Sequence, residues 1–254
     1  MAMVDWKGQN VQLVWFLADV DGVSAAEIFR RIWDEEPEQA HNNRVPNPSN
    51  PFLSLASSID DGVQSQVQVQ PGRVDVVIST DIPNESANVF GALFDLEERL
   101  NFLLNRNETV SIISKDAFRI ALVATSMKPV ESYSDGVKEF ISALGFDFGI
   151  ANATDLMFQI NSRFSLGDII ANRLVQLSTV GFQSFAFPLA PGSVLPHLST
   201  STIPAQFVAR RHFDFNTVPD GKLLERDKLR HIFRGLADEL LRVIAVGNLS
   251  GLRN

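Results

Sequence analysis

The chain has 254 residues, of which 45% are apolar, with a net charge of −8 and a pI near 5.0. That length suits one large domain or two small ones. The acidic balance argues against nucleic acid, whose phosphates need a basic footprint, and the absence of cysteine excludes disulfides and thiolate metal sites.

Nineteen Phe against one Tyr place the aromatic content in a core, because Phe has no polar handle for a recognition surface. Charge is uneven. Acids outnumber bases 17 to 7 in residues 1–110, while bases outnumber acids 15 to 13 beyond them, so the two halves either attract each other or face different partners. The start, MAMVDWKGQN, lacks the basic and apolar stretches of a signal peptide. No segment approaches the ~18 apolar residues of a membrane helix. These features predict a cytoplasmic protein, in which the sequons at Asn84, Asn107, Asn152 and Asn248 are chance matches.

In chain order, the apolar run Val11–Ala18 predicts a central strand. Asp21-Gly22 turns the chain, and Ser24 with Glu27 forms a capping box for a helix striped by Ile28, Phe29, Ile32 and Trp33. The proline- and asparagine-rich stretch Pro37–Pro51 predicts a loop. Strands follow at Phe52–Ser58, Val63–Gln70 and Arg73–Thr80, separated by Asp60-Asp61-Gly62 and Pro71-Gly72. A helix is predicted over Val89–Arg106.

The second half is expected to repeat this order. Phe118–Thr125 is a strand, Ser134 caps a helix to Leu144, and Leu156–Arg163 is a strand. Leu174–Thr179 and Gln183–Pro188 flank a turn at Val180-Gly181. Gln206–Val246 contains an alternating strand, a break at Asp220-Gly221, and a helix with Leu229, Ile232, Phe233, Leu236, Leu240, Val243 and Ile244 on one stripe. The expected class is α+β, mostly antiparallel, with helices packed on one face. Its units, residues 1–110 and 111–254, each resemble a ferredoxin-like split βαβ arrangement and pack as one globule.

Three groups of residues carry candidate chemistry. Phe16-Leu17-Ala18-Asp19-Val20-Asp21-Gly22-Val23, an apolar strand followed by D-x-D-G-V, is similar to the first motif of haloacid-dehalogenase-type phosphatases. The resemblance implies Asp19 as nucleophile, Asp21 as general acid, Lys115 as the family's lysine, Asp168 as a later metal ligand, magnesium, and a parallel sheet. The bland alternative is a turn of solvated aspartates at a helix start. Second, Arg210, His212 and Asp214 share one strand face and would suit a phosphate-bearing ligand, or simply a wetted sheet. Arg211 falls on the apolar face, where it must snorkel or pair with an acid. Third, Arg230 and Arg234 lie on the exposed flank of the last helix, at a spacing that suits ion pairs or an acidic partner.

The loop Pro188–Pro204 is long and uncharged, and its Val194, Leu195 and Leu198 are candidate docking residues. No nucleotide-binding glycine loop, histidine metal spacing or hydrolase elbow occurs. The expectation is therefore a non-catalytic intracellular protein-binding or assembly subunit, without cofactor or metal. Its partner would be a protein, with a second copy of the chain among the candidates. The alternative is the magnesium-dependent phosphatase acting through Asp19 and Asp21.

Overall fold

Period-two alternation decides which side of the sheet each strand buries. The computed structural model describes residues 6–43, 51–81, 90–106, 116–147, 149, 155–182, 185–186, 201–202 and 205–252. Its first strand, β1 (Lys7–Leu17), sends Val11, Leu13, Trp15 and Leu17 into the core. Helix α1 (Ala25–Trp33) follows, with the Ser24 hydroxyl accepting from the Glu27 amide at 3.4 Å. Then come β2 (Gln39–Asn42), β3 (Ser54–Asp60), β4 (Val63–Gln70), β5 (Arg73–Thr80) and α2 (Leu96–Asn105). The second half supplies β6 (Ala117–Val130), α3 (Tyr133–Leu144), β7 (Leu156–Leu166) and β8 (Ile169–Phe182). Two short strands, β9 (Phe185–Ala186) and β10 (Ser201–Thr202), pair with each other. The chain then forms β11 (Gln206–Thr217), α4 (Arg226–Val246) and a 3-10 turn at Leu249–Leu252.

Among the described residues, nine strands make one antiparallel sheet in the order β2-β3-β4-β5-β1-β6-β11-β8-β7. Outward from the β1–β6 seam the order is β5-β4-β3 on one side and β11-β8-β7 on the other. Among the described residues the four helices pack on one face, and one continuous core joins them to the sheet. The class is thus α+β, as the alternation and the helical stripes predict. No helix among the described residues is long and apolar enough to cross a membrane.

The last helix covers the centre. All seven apolar positions of its predicted stripe are buried, and Phe233 meets the Trp15 ring at 4.9 Å between centroids. Two arginines tie it to the sheet. Arg173 of β8, only 1% exposed, pairs with Glu239, donates from Nη2 to the Leu252 carbonyl at 3.0 Å and lies over Phe164. Burial pushes the Glu239 carboxyl up, but hydrogen bonds and charge from Arg242 and Arg173 outweigh that and hold it below the usual range. Arg211 does pack on the apolar face. It donates from Nη2 to the Gly247 carbonyl, 3.1 Å away at the C-terminal end of α4, where a cation meets the negative end of the helix dipole. The Trp6 ring lies 3.9 Å from its guanidinium carbon. Burial lowers its pKa to about 10, with Glu139 opposing, so the guanidinium stays charged at neutral pH.

Several boundaries differ from expectation. Part of the predicted loop Pro37–Pro51 is β2, which adds an exposed edge strand to β3. The predicted helix from Val89 begins only at Leu96, because Asp95 caps it by accepting from the Glu98 amide at 2.9 Å. Phe94 exchanges backbone hydrogen bonds with Gly8 instead of joining that helix. Ser132, not Ser134, caps α3, accepting from the Asp135 amide at 3.2 Å. No turn forms at Val180-Gly181: β8 runs straight through it. Gly181 faces the Phe207 ring, where an added Cβ would sit 3.1 Å from Cε1, so this glycine provides close packing rather than a turn.

Because Leu236 is fully buried under this helix while Arg230 is exposed, Leu236→Ala is expected to cost about 2–5 kcal/mol. Arg230→Ala should stay within about 0.5 kcal/mol of the parent. Urea titration of the two variants checks the assignment, and equal losses would reverse the helix face.

Candidate functional site

The sheet face opposite the helices gathers the polar strand positions. Register places Arg210, His212, Asp214 and Asn216 of β11 there, beside Thr125 and Met127 of β6 and Asn172, Gln176 and Ser178 of β8. The predicted Arg210–His212–Asp214 ladder therefore exists as one row of side chains. Its members are held by neighbours across the strands. His212 Nδ1 lies 3.0 Å from Thr125 Oγ1. Asp214 Oδ1 accepts from Asn216 Nδ2 at 2.9 Å, and Asn216 Oδ1 accepts from Asn172 Nδ2 at 3.2 Å. Burial lowers the His212 pKa, the Arg210 charge lowers it further, and Asp214 opposes them. The imidazole is thus neutral near pH 7. Arg210 lines a cleft at the sheet end with Tyr133, Asp155, Met157 and Phe207.

A second group on this face lies at the centre of the sheet. Phe16 pairs across the strands with Arg73 on one side and Arg119 on the other. Their guanidinium carbons approach its ring centroid to 5.5 Å and 4.9 Å, and Phe118 stands 6.4 Å away. Asp75 neutralises Arg73. Its Oδ1 accepts from Arg73 Nε at 2.9 Å and from Gln12 Nε2 at 2.7 Å, while its buried Oδ2 has no partner. Burial pushes the Asp75 carboxyl above its usual range against the opposing contacts of Arg73 and Gln12. Arg119 has no carboxylate partner among the described residues, and its buried Nε is unsatisfied. Local patterns could not reveal this cluster, since three separate strands supply it. The internal clamp Arg173–Glu239 has no local signal either, since its partners lie 66 residues apart and the predicted strand starts at Leu174.

The other candidate residues do not converge. Asp19 and Asp21 are exposed in the turn after β1, and Asp19 Oδ1 accepts from the Asp21 amide at 2.8 Å. The parallel sheet implied by the phosphatase resemblance is not formed, since both neighbours of β1 are antiparallel. Asp168 sits in the β7–β8 turn, between three and four strand spacings from β1, or about 14–19 Å. That is too far for it to share one ion with Asp19. Among the described residues no group of three or more acidic, histidine or cysteine side chains could hold a metal. Arg230 and Arg234 belong to α4, on the opposite side of the sheet from Arg210, and Arg234 donates to Asn105 Oδ1 at 2.9 Å. Lys115, Val194, Leu195 and Leu198 lie outside the described residues. Neither a family model, nor a curated protein, nor a solved structure matches this chain.

The lowered His212 pKa has a definite sign. The unfolded chain takes up a proton near the ordinary pKa of about 6.5, whereas the folded chain does so only at lower pH. Stability contributed by His212 is therefore lost as pH falls from about 6.5 toward the folded value. The drop in Tm between pH 7.5 and 5.5, followed by circular dichroism, is expected to be smaller in His212→Asn than in the parent. An equal drop in both would show that this imidazole is not held neutral.

Proposed function

We propose that the chain is a non-catalytic protein-binding or assembly subunit whose helix-free sheet face docks an acidic surface of a partner protein. The observation that supports this is the sign of that face. It carries Lys7, Arg73, Arg119, Arg163 and Arg210 against Asp75 and Asp214, in a chain whose net charge is −8. Among the described residues Lys7, Arg119, Arg163 and Arg210 have no ion-pair partner on the protein itself, and Asp75 is spent on Arg73. Cations left unpaired on a locally basic face steer an anionic surface toward it and select its orientation. Exposed Phe118 and Met157 add apolar contact beside the charges.

We also propose that residues 1–110 and 111–254 are two related units packed as one globule. The matching strand order on either side of the β1–β6 seam supports that reading. The same seam makes the basic face continuous across both units.

Reversing the charge tests the docking surface. Arg119→Glu combined with Arg210→Glu is expected to abolish recovery of partners that the parent captures in cells by crosslinking, with the cooperative melt retained. Identical captured sets from parent and variant would refute the assignment. Weakening of the parent's capture by added salt is the companion expectation.

A further inference from the structure

The two edges of the nine-stranded sheet are built differently. β2 is four residues long and exposed throughout, a short polar edge of the kind that discourages further pairing. β7 at the other edge runs eleven residues, Leu156–Leu166, and has no proline and a single charge, Arg163. Its register with β8 is unbroken from Leu156↔Thr179 to Leu166↔Ile169, so no bulge twists it away. Among the described residues nothing pairs with its outer side.

The turn fixes which backbone groups are free. Gly167, with φ +61°, and Asp168 form a two-residue hairpin loop closed by Leu166↔Ile169. The closing pair of such a loop exchanges both hydrogen bonds, and bonded and non-bonded pairs then alternate. Even-numbered residues of β7 therefore bond to β8. The amides and carbonyls of Met157, Gln159, Asn161, Arg163 and Ser165 point outward.

We infer that this edge pairs with β7 of a second copy, antiparallel about a two-fold axis at Asn161, extending the sheet across both chains. That register uses all five outward residues and forms about ten backbone hydrogen bonds. It is also the register the side chains favour. On the helix side Phe158 faces Phe164 of the second copy, and Ile160 faces Ser162. On the helix-free side Gln159 faces Arg163, and Asn161 faces its own copy. Aromatic meets aromatic, amide meets cation or amide, and no like charges are opposed. A register centred on Arg163 would instead set two guanidinium groups against each other. The pairing draws on the basic face only through Arg163 at its margin and leaves Arg73, Arg119 and Arg210 free of it, so it stands or falls separately from the docking reading.

The test uses the full chain. Light scattering and sedimentation at micromolar concentration are expected to give twice the chain mass for the parent. Asn161→Pro removes an outward N–H that the isolated chain does not use, and edge strands tolerate proline at such positions. It should halve the mass while keeping the parent's circular dichroism and cooperative melt. Hydrogen exchange should show the outward amides of β7 protected in the parent and fast in this variant. Arg119→Glu with Arg210→Glu should leave the mass unchanged. If Asn161→Pro does not fold, Gln159→Lys with Asn161→Lys decides instead, because lysines at an edge block pairing. A parent that is monomeric over this range, or a dimer that survives these edge variants, overturns the inference.

Discussion

The antiparallel seam between Lys7–Leu17 and Ala117–Val130 is the constraint on which the other contacts rest. It joins five strands contributed by residues 7–80 to four contributed by residues 117–217. It also sets one phase of alternation across the whole width. A one-residue slip at this seam would put Leu13 and Trp15 on the opposite side of the sheet from Leu122 and Ile120. Its irregularities are confined to the ends, at Gly8/Asn10 and Phe16/Leu17. At the first of these, Phe94 hydrogen-bonds Gly8 and leads the chain into α2 over the core. Because the central stretch is regular, the four helices among the described residues find a single apolar floor, and the opposite face can hold polar groups without disturbing the core.

Two guanidinium groups on that floor would be expensive alone. An ion taken out of water costs several kcal/mol, and it is tolerated where charge and hydrogen bonds are both supplied. Arg173 receives them from Glu239 and the Leu252 carbonyl, and Arg211 from the Gly247 carbonyl and the Trp6 ring. The hydrogen-bonding partners of both, Glu239, Gly247 and Leu252, come from α4 or the residues just beyond it. Apolar packing holds that helix against the sheet but specifies its sliding position weakly. Two directional anchors, one midway along α4 and one at its C-terminal end, fix it. The cation on the apolar face, odd by pattern alone, thus has a mechanical role.

What could be read in advance follows the range of the forces involved. β4 and β5 match their predicted bounds at every residue because local chemistry ends them, at Asp60-Asp61-Gly62 and Pro71-Gly72. The α4 stripe and the Arg210–His212–Asp214 row follow from periodicity alone. Structure and expectation part where a distant partner decides. Gly181 resembles a turn until the Phe207 ring is placed across it. Phe90, Leu93 and Phe94 resemble a helix stripe. Instead Phe90 and Leu93 pack with Met127, Val208 and Phe182 on the helix-free side, while Phe94 joins the core on the helix side. The Phe16–Arg73–Arg119 group had no local signal, since its members become neighbours only through pairing register. The aspartates after β1 carried a strong local pattern, yet that pattern describes a turn as well as a catalytic loop.

The contact between Trp15 and Phe233 has a consequence for biosynthesis. The tryptophan is translated roughly two hundred residues before the aromatic ring that covers it. At about 5–20 residues per second, the central strand waits some tens of seconds on the ribosome with its apolar side uncovered. During that interval β1 can pair with β5, but the floor beneath α4 stays open to any other apolar surface. The apolar floor around Trp15 is therefore closed only once α4 has been made.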